Sequence, residues 1–219
     1  MRFLGCLRPV GFGLVALLLV PDRPGVVTHA AAPATSSTYR VEASPSRVTI
    51  KVGKAGLFKF AGHEHEVSAL GFSGEVVADP AEIARSAVQL TFLASAVKVT
   101  GSGDSAEDLP KIQATMSGPT VLDVARFPEI RFQSRTVGGH QQADGSWALE
   151  VTGELRLRSV ARPLTLPLRV EISGDTLVAS GRATLKQTDF GLEPVSVAGV
   201  VNVKNELAVE YRIVARKEP

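Results

Sequence analysis

The chain has 219 residues, of which 44% are hydrophobic and 21% are charged, so it is long enough and apolar enough to bury the core of one all-β domain of ordinary size. Three arginines and one aspartate among residues 1–30 account for the whole formal net charge of +2, so the remainder of the chain is formally neutral. That remainder has no basic face, which argues against nucleic acid as a partner, and the position of Cys6 excludes disulfides and thiolate metal sites beyond the first segment.

The first 30 residues predict a secretory signal peptide. Arg2 and Arg8 precede an apolar run over residues 10–20, and a polar patch then leads to small residues at positions 30–32. A basic region, a short apolar region and a small-residue site, in that order, are typical of a signal that is cleaved during export. The apolar run of about eleven residues is too short for the roughly twenty that span a bilayer, so no stable membrane span is expected after cleavage.

Residues 31–38 are small and polar and are expected to form a linker. Three strands are predicted after it, over residues 39–52, 66–78 and 88–96, because apolar and polar side chains alternate along each of them. A break is expected in the first strand at Ser44 and Pro45. Glycines interrupt the second strand, and such glycines usually mark the bulges or bends that a strongly curved small barrel needs.

Residues 99–129 break the alternating pattern. Leu109, Ile112 and Met116 recur at helical spacing, and Asp108 suits the start of a helix. In a barrel, a short amphipathic segment of this kind has one natural place, across an open end with its apolar side chains turned inward.

The strongest pattern in the chain covers residues 147–172. Odd positions from 147 to 157, and then even positions from 164 to 172, carry apolar side chains or glycine, with a break between the two runs. A strict period of two predicts strands with one dry face and one wet face, so the two runs are expected to pair as a hairpin. Each strand is about eleven residues long, roughly twice the usual length, which favours a tall antiparallel barrel over a small sandwich.

Further strands are predicted on both sides of this hairpin. The alternation covers residues 130–134 before it, and residues 177–185 and 195–213 after it, with a turn expected over residues 202–205. His140 is placed on a polar hairpin tip that ends in an Asp144-Gly145 turn. The sequence therefore predicts an all-β fold, an antiparallel barrel of about eight strands with a short helical segment over one end.

The chemistry-bearing motif is the run Gly62-His63-Glu64-His65-Glu66. On a strand, His63 and His65 project from the same face, and two such imidazoles can begin a zinc or copper site. A third ligand is not evident, so the favoured interpretation is a pair of histidines that line a pocket or form hydrogen bonds. Metal binding remains the alternative, and no cofactor is expected.

Two further groups of residues each have a structural and a functional interpretation. The aromatic residues are core residues in a filled barrel, but they line the pocket of a barrel that encloses a cavity. The arginines at one end of the hairpin are a solvated outer face or a cationic rim for an anionic head group. On the functional interpretation, the candidate ligand-binding residues are Phe58, Phe60, His63, His65, Phe72, Phe92, Leu109, Ile112, Met116, Phe132, Trp147, Leu155, Arg158 and Arg162.

An ordered series of short motifs then resembles a known family. The series comprises the opening strand over residues 39–52, Leu122-Asp123, Phe127-Pro128-Glu129-Ile130-Arg131-Phe132, Gly153-Glu154-Leu155-Arg156-Leu157, residues 160–166 with Arg162-Pro163, and Asp189-Phe190-Gly191. Together they resemble the YceI-like family of periplasmic proteins, over about residues 38–215. The resemblance implies a lipocalin-like barrel over residues 39–215 that holds a polyisoprenoid or a similar amphiphilic chain in its pore, without catalysis.

The resulting hypothesis is a non-enzymatic, periplasmic binding protein whose partner is an apolar-chain small molecule. Two alternatives stay open, a metal-binding protein centred on His63 and His65 and a structural envelope protein whose interior is filled by its own side chains. Whether the protein forms a homodimer also stays open.

Overall fold

The computed structural model describes residues 36–55, 65–100, 106–194, 196–197 and 201–219. The predicted signal peptide lies outside these residues, and so do Phe58, Phe60 and His63. Most of the described chain is β-structure, and the described residues contain one α-helix of nine residues, α1 (Leu109–Ser117).

The described residues form eleven β-segments. In chain order these are β1 (Ser37–Ala55), β2 (His65–Ala69), β3 (Phe72–Ala78), β4 (Ala87–Leu93), β5 (Val97–Val99), β6 (Glu129–Gln141), β7 (Trp147–Leu157), β8 (Val160–Ser173), β9 (Thr176–Lys186), β10 (Ser196–Val197) and β11 (Val201–Lys217). Short 3₁₀ helices lie at Ile83–Arg85, Ala94–Ala96 and Gln187–Phe190.

The segments close into an antiparallel barrel. β2 and β3 both pair with β1 and share one strand position, and β4 and β5 share the next, because β3 pairs with β4 and β2 with β5. The sheet continues through β6, β7, β8, β9 and β11, and the pairing of β11 with β1 closes it at eight strand positions. The predicted barrel with one short helix is therefore confirmed.

The predicted hairpin is present at full length as β7 and β8. Its register runs from Trp147 opposite Val170 to Leu157 opposite Val160, without a bulge. Arg158 lies in the turn with φ of 55°, a left-handed conformation that is uncommon for a residue other than glycine. Because the pairing is unbroken, the odd positions of β7 and the even positions of β8 face the interior together.

β1 differs from the prediction, because it continues through Ser44 and Pro45 instead of breaking there. The register with β11 shifts between Glu42 and Arg47, which identifies a β-bulge. The Ser46 hydroxyl stabilises the bulge, since it donates to the Glu42 carbonyl at 2.5 Å and accepts from the Val214 amide at 2.8 Å. Four residues of β1 (43–46) stand opposite one residue of β11, and these three extra residues move the buried row of β1 from odd to even positions.

Two turn predictions were also inaccurate. The turn expected over residues 202–205 is wrong, because the chain stays extended there as part of β11 (Val201–Lys217), with a register shift against β1 between Val203 and Leu207. His140 lies on β6 opposite Ala148, so the hairpin tip is shorter than the polar sequence suggested.

The β6–β7 tip is held by Asp144. Its carboxylate accepts hydrogen bonds from the Ser146 hydroxyl at 2.6 Å, the Ser146 amide at 3.0 Å and the Arg169 guanidinium at 2.8 Å. The Ser146 hydroxyl and Arg169 hold the pKa of Asp144 well below its usual range. Arg169 belongs to β8, so this contact ties the tip to the neighbouring strand, and Gly145 with φ of 83° supplies the left-handed residue that the turn needs.

A glycine in the inward row of β7 makes room for an aromatic ring. A Cβ placed on Gly153 would lie 2.6 Å from Cζ of Phe132 and 2.4 Å from the Gln133 carbonyl oxygen. The Phe132 ring is 3% exposed and lies across this glycine, on the neighbouring strand β6. The interior at this level therefore depends on the absence of a side chain at position 153.

We expect Gly153→Val to lower the free energy of unfolding by about 3 kcal/mol, because the added methyl groups must displace Phe132 and press on the β6 backbone. Gly138→Val is the matched control, since a Cβ there meets nothing within 4 Å. Its effect should stay within about 0.5 kcal/mol. Urea unfolding followed by circular dichroism measures both, and equal effects would contradict the proposed packing.

Candidate ligand-binding cavity

The barrel encloses a cavity of about 570 Å³. This volume lies within the range of roughly 300–1,000 Å³ that is usual for small-molecule sites. The side chains that face the cavity are almost all aliphatic or aromatic. The interior is therefore only partly filled by the protein itself.

The inward rows of the long strands form most of the lining. β1 supplies Val48, Ile50 and Val52; β7 supplies Trp147, Leu149, Val151, Leu155 and Leu157; β8 supplies Leu164, Leu166, Leu168, Val170 and Ile172; β9 supplies Leu177, Ala179, Ala183 and Leu185; and β11 supplies Val203, Leu207, Val209, Tyr211 and Ile213. Ser86, Lys111, Thr115 and Gln187 are among the few polar residues that border the cavity.

Helix α1 contributes Ile112 and Met116 to the cavity wall. Gln113 fixes the helix against the edge of the sheet, because its side-chain oxygen accepts from the Val99 amide at 3.0 Å and its side-chain nitrogen donates to the Val97 carbonyl at 3.1 Å. One amide side chain thus takes the place of a neighbouring strand beside β5. Leu109 was expected to face inward with the other two, but it does not line the cavity.

The structure brings six of the fourteen candidate residues together around the cavity. These six are Phe92, Ile112, Met116, Phe132, Trp147 and Leu155. Phe72 is buried but does not line the cavity, and it packs against Phe92 with ring centroids 5.0 Å apart. His65 begins β2, opposite Val52, but its side chain lies outside the described part of the structure.

The two candidate arginines are engaged elsewhere. Arg158 donates to the Val121 carbonyl at 3.2 Å, and its guanidinium lies 5.5 Å from the centre of the Phe127 ring. Arg162 donates to the Asp189 carbonyl at 2.8 Å. Neither borders the cavity. Both therefore join loops to the end of the β7–β8 hairpin.

The candidate list did not include Tyr211, which lines the cavity from β11. Its hydroxyl donates to the Pro167 carbonyl at 2.8 Å, and a Cβ on Gly181 would lie 2.6 Å from that hydroxyl oxygen. The ring therefore crosses β9 above Gly181 and reaches β8. Burial raises the pKa of Tyr211 to about 12. The alternation along β11 places residue 211 on the inward row, so the sequence carried the signal.

A model of the YceI-like domain matches residues 39–215. The chain belongs to the YceI-like family. No curated protein matches the sequence.

Solved structures share the fold of this YceI-like chain at low sequence identity. BcnA of Burkholderia cenocepacia is 21% identical with a TM-score of 0.62, and the match covers 80% of this chain and 98% of BcnA. A polyisoprenoid binding domain from Saccharophagus degradans is 13% identical with a TM-score of 0.63, covering 82% and 98%. A YceI protein of Campylobacter jejuni is 12% identical with a TM-score of 0.54, covering 70% and 84%.

The described residues contain no group of three or more His, Cys, Asp or Glu side chains that could hold a metal ion. The metal hypothesis on His63 and His65 concerns side chains outside that part of the chain, so it stays a sequence-based expectation. Within the same described residues, no helix has the length and apolar character needed to cross a membrane.

The half-buried phenol of Tyr211 gives a pH-dependent prediction. In the folded protein the pKa of Tyr211 lies above its ordinary value of 10.0, because partial burial disfavours the charged phenolate. Its contribution to the free energy of unfolding should therefore be fully present below pH 10 and should be lost as the pH rises towards 12. Ultraviolet titration of wild type minus Tyr211→Phe isolates this group, and a difference transition centred near pH 10 would contradict its burial.

Proposed function

We propose that the protein is an exported, non-enzymatic carrier that holds the apolar chain of a polyisoprenoid or a similar amphiphile inside its barrel. The observation that carries the proposal is the aliphatic and aromatic cavity of about 570 Å³. A solved structure with the same fold is described as a polyisoprenoid binding domain, which supports this class of ligand. No catalytic step is included, because the family resemblance implies none.

The physical basis of affinity is the removal of apolar surface from water. Burial contributes roughly 25 cal/mol per Å² of apolar area that the cavity walls cover on a guest chain. Association and the ordering of a flexible chain then subtract several kcal/mol. A preformed cavity between paired strands keeps the protein's own share of that ordering cost small. Selectivity for a long, flexible hydrocarbon follows, because the lining offers few hydrogen-bond partners.

We expect Leu149→Trp to weaken farnesol binding at least about tenfold, because the larger side chain occupies cavity volume. Glu150→Trp is the matched control, since residue 150 is the adjacent, exposed position on the same strand. Farnesol is a branched, apolar C15 alcohol, and isothermal titration calorimetry measures its affinity directly. Wild-type protein that does not bind farnesol, or equal affinities for the two variants, would overturn the proposal.

Export gives a separate expectation. Expression of the full chain in a Gram-negative host should yield periplasmic protein whose N-terminus lies near residues 30–32, because the first 30 residues have the order of a cleavable signal. Intact-mass spectrometry of the periplasmic fraction locates the new terminus. A variant with Leu17 and Leu18 replaced by Arg should remain in the cytoplasm uncleaved, and an uncleaved wild-type chain in the cytoplasm would refute export.

A further inference from the structure

β8 and β9 are paired along only part of their lengths. Their register begins at Ser173 opposite Thr176 and ends at Arg169 opposite Ser180. Beyond that point β8 remains paired with β7, and β9 remains paired with β11 as far as Lys186. Residues 160–168 of β8 and 181–186 of β9 therefore border a seam in the barrel wall.

Two prolines explain why the ladder ends there. The Pro167 carbonyl oxygen faces β9, because a Cβ on Gly181 would lie 2.2 Å from it. Backbone polar groups alternate in direction along a strand, so Pro163, four residues earlier, faces the same neighbour. Proline has no amide hydrogen to donate. β8 thus lacks two hydrogen-bond donors towards β9, so the position of the seam follows from these two prolines.

Side chains bridge the seam in place of the ladder. The Tyr211 hydroxyl reaches across β9 to the Pro167 carbonyl, at the point where the pairing ends. Towards the other end, Arg162 of β8 donates to the carbonyl of Asp189, in the 3₁₀ helix that follows β9. Each contact is a single hydrogen bond, so this part of the wall is held more weakly than a continuous ladder.

An arginine cluster lies on the outer face of the barrel, beside the end of the seam where the pairing of β8 with β9 stops. It consists of Arg47 of β1, Arg212 of β11, and Arg182 and Arg169 on the two seam strands. Arg47 lies directly opposite Arg212, Arg212 opposite Ser180, and Ser180 opposite Arg169. The cluster borders a shallow recess whose lining also includes Tyr211 and Pro167, so Tyr211 borders both the recess and the interior cavity.

The charges in this cluster are incompletely compensated. Arg169 is paired with Asp144 and Glu171, at 2.8 and 3.0 Å. Arg182 lies 3.4 Å from Glu210, a carboxylate that also accepts from Lys51 at 3.2 Å. Among the described residues, no carboxylate lies within 4.0 Å of the cationic groups of Arg47 or Arg212.

Arg47 and Arg212 therefore face each other as like charges without an acidic partner in the described chain. Directly opposed like charges destabilise a sheet. Arg212 also donates to the Pro45 carbonyl at 3.4 Å, which leaves most of its donors for another acceptor. A phosphate or carboxylate between the two guanidinium groups would remove the repulsion and accept charge-assisted hydrogen bonds from both.

We infer that the arginine cluster binds the anionic head group of an amphiphile whose apolar chain passes through the seam into the cavity. This inference rests on the proposed function and adds the class of head group, a phosphate or carboxylate, and its position on the side of the barrel. Arg47 and Arg212 are the principal contacts, with Arg182 at the edge of the seam. The chain enters beside Tyr211, which borders both the outer recess and the interior cavity.

The test compares farnesyl phosphate with farnesol, two probes with the same chain, by isothermal titration calorimetry at low salt. We expect the wild type to bind the phosphate about tenfold more tightly, and the variant Arg47→Ala/Arg212→Ala to lose this preference while its farnesol affinity is unchanged. Arg131→Ala/Arg135→Ala is the matched control, since it removes two exposed arginines from β6 and should keep the preference. Thermal unfolding of both double variants checks folding, and removal of the opposed pair should leave the midpoint unchanged or higher.

The outcomes separate this inference from the proposed function. Farnesol binding without preference for the phosphate overturns the head-group site and leaves the carrier function standing. Loss of the preference in Lys111→Ala, with Arg47→Ala/Arg212→Ala unaffected, places the head group beside α1 and also overturns the inference. Inorganic phosphate that binds the arginines as tightly as farnesyl phosphate identifies a site for a free anion, which contradicts a link to the cavity. Failure of the wild type to bind farnesol refutes the carrier function itself.

Discussion

The structure depends on the closure of the sheet by β1 and β11. Twelve register pairs join these two strands, so the sheet of amphipathic strands becomes a closed wall with an inner and an outer face. The inward rows that this closure brings together are almost entirely apolar. Eight strand positions set a diameter at which side chains nearly fill the interior, so modest changes in side-chain size decide whether a barrel is solid or hollow.

In this barrel, two pairs of a glycine and an aromatic residue help to keep the interior hollow. Phe132 lies across Gly153, and Tyr211 lies across Gly181. In each case a ring from one strand occupies the space that a side chain on its neighbour would take, so the ring lies along the wall and leaves the centre clear. The same arrangement lets the Tyr211 hydroxyl reach a strand two positions away. Packing, hydrogen bonding and cavity shape are thus determined by the same pairs of residues.

The fold could be predicted from the sequence because a period of two is a local signal. The β7–β8 hairpin, the Asp144-Gly145 turn and α1 all follow from short-range pattern and turn chemistry. The long β1 strand was harder to predict, because the bulge at Ser46 depends on a hydrogen bond with Val214, 168 residues away. The expected turn at residues 202–205 is replaced by an extended segment that distant residues hold, because the Gln187 side chain donates to the Lys204 carbonyl at 2.8 Å and the Asn205 side-chain oxygen accepts from the Thr188 amide at 3.0 Å.

The candidate site was less predictable than the fold. Phe92, Phe132 and Trp147 belong to inward rows and line the cavity, whereas Phe72 is buried in such a row and does not line it. Parity along a strand gives the direction of a side chain and not its depth. Arg158 and Arg162 illustrate a second limit, because charge in a sequence does not show whether a backbone carbonyl lies within reach. Pro163 and Pro167 mark where the β8–β9 ladder ends, but this can be recognised only once β9 is known to be the neighbouring strand.

Trp147 is the single tryptophan of the chain, and it lies in the cavity wall. Indole emission responds to the polarity of its surroundings, so the protein contains one native optical reporter at the place where a guest would lie. Replacement of water by hydrocarbon beside this ring shifts the emission to shorter wavelengths without any attached dye. Occupancy of the barrel can therefore be followed in unlabelled protein, and the rates of loading and release become measurable in a stopped-flow fluorimeter.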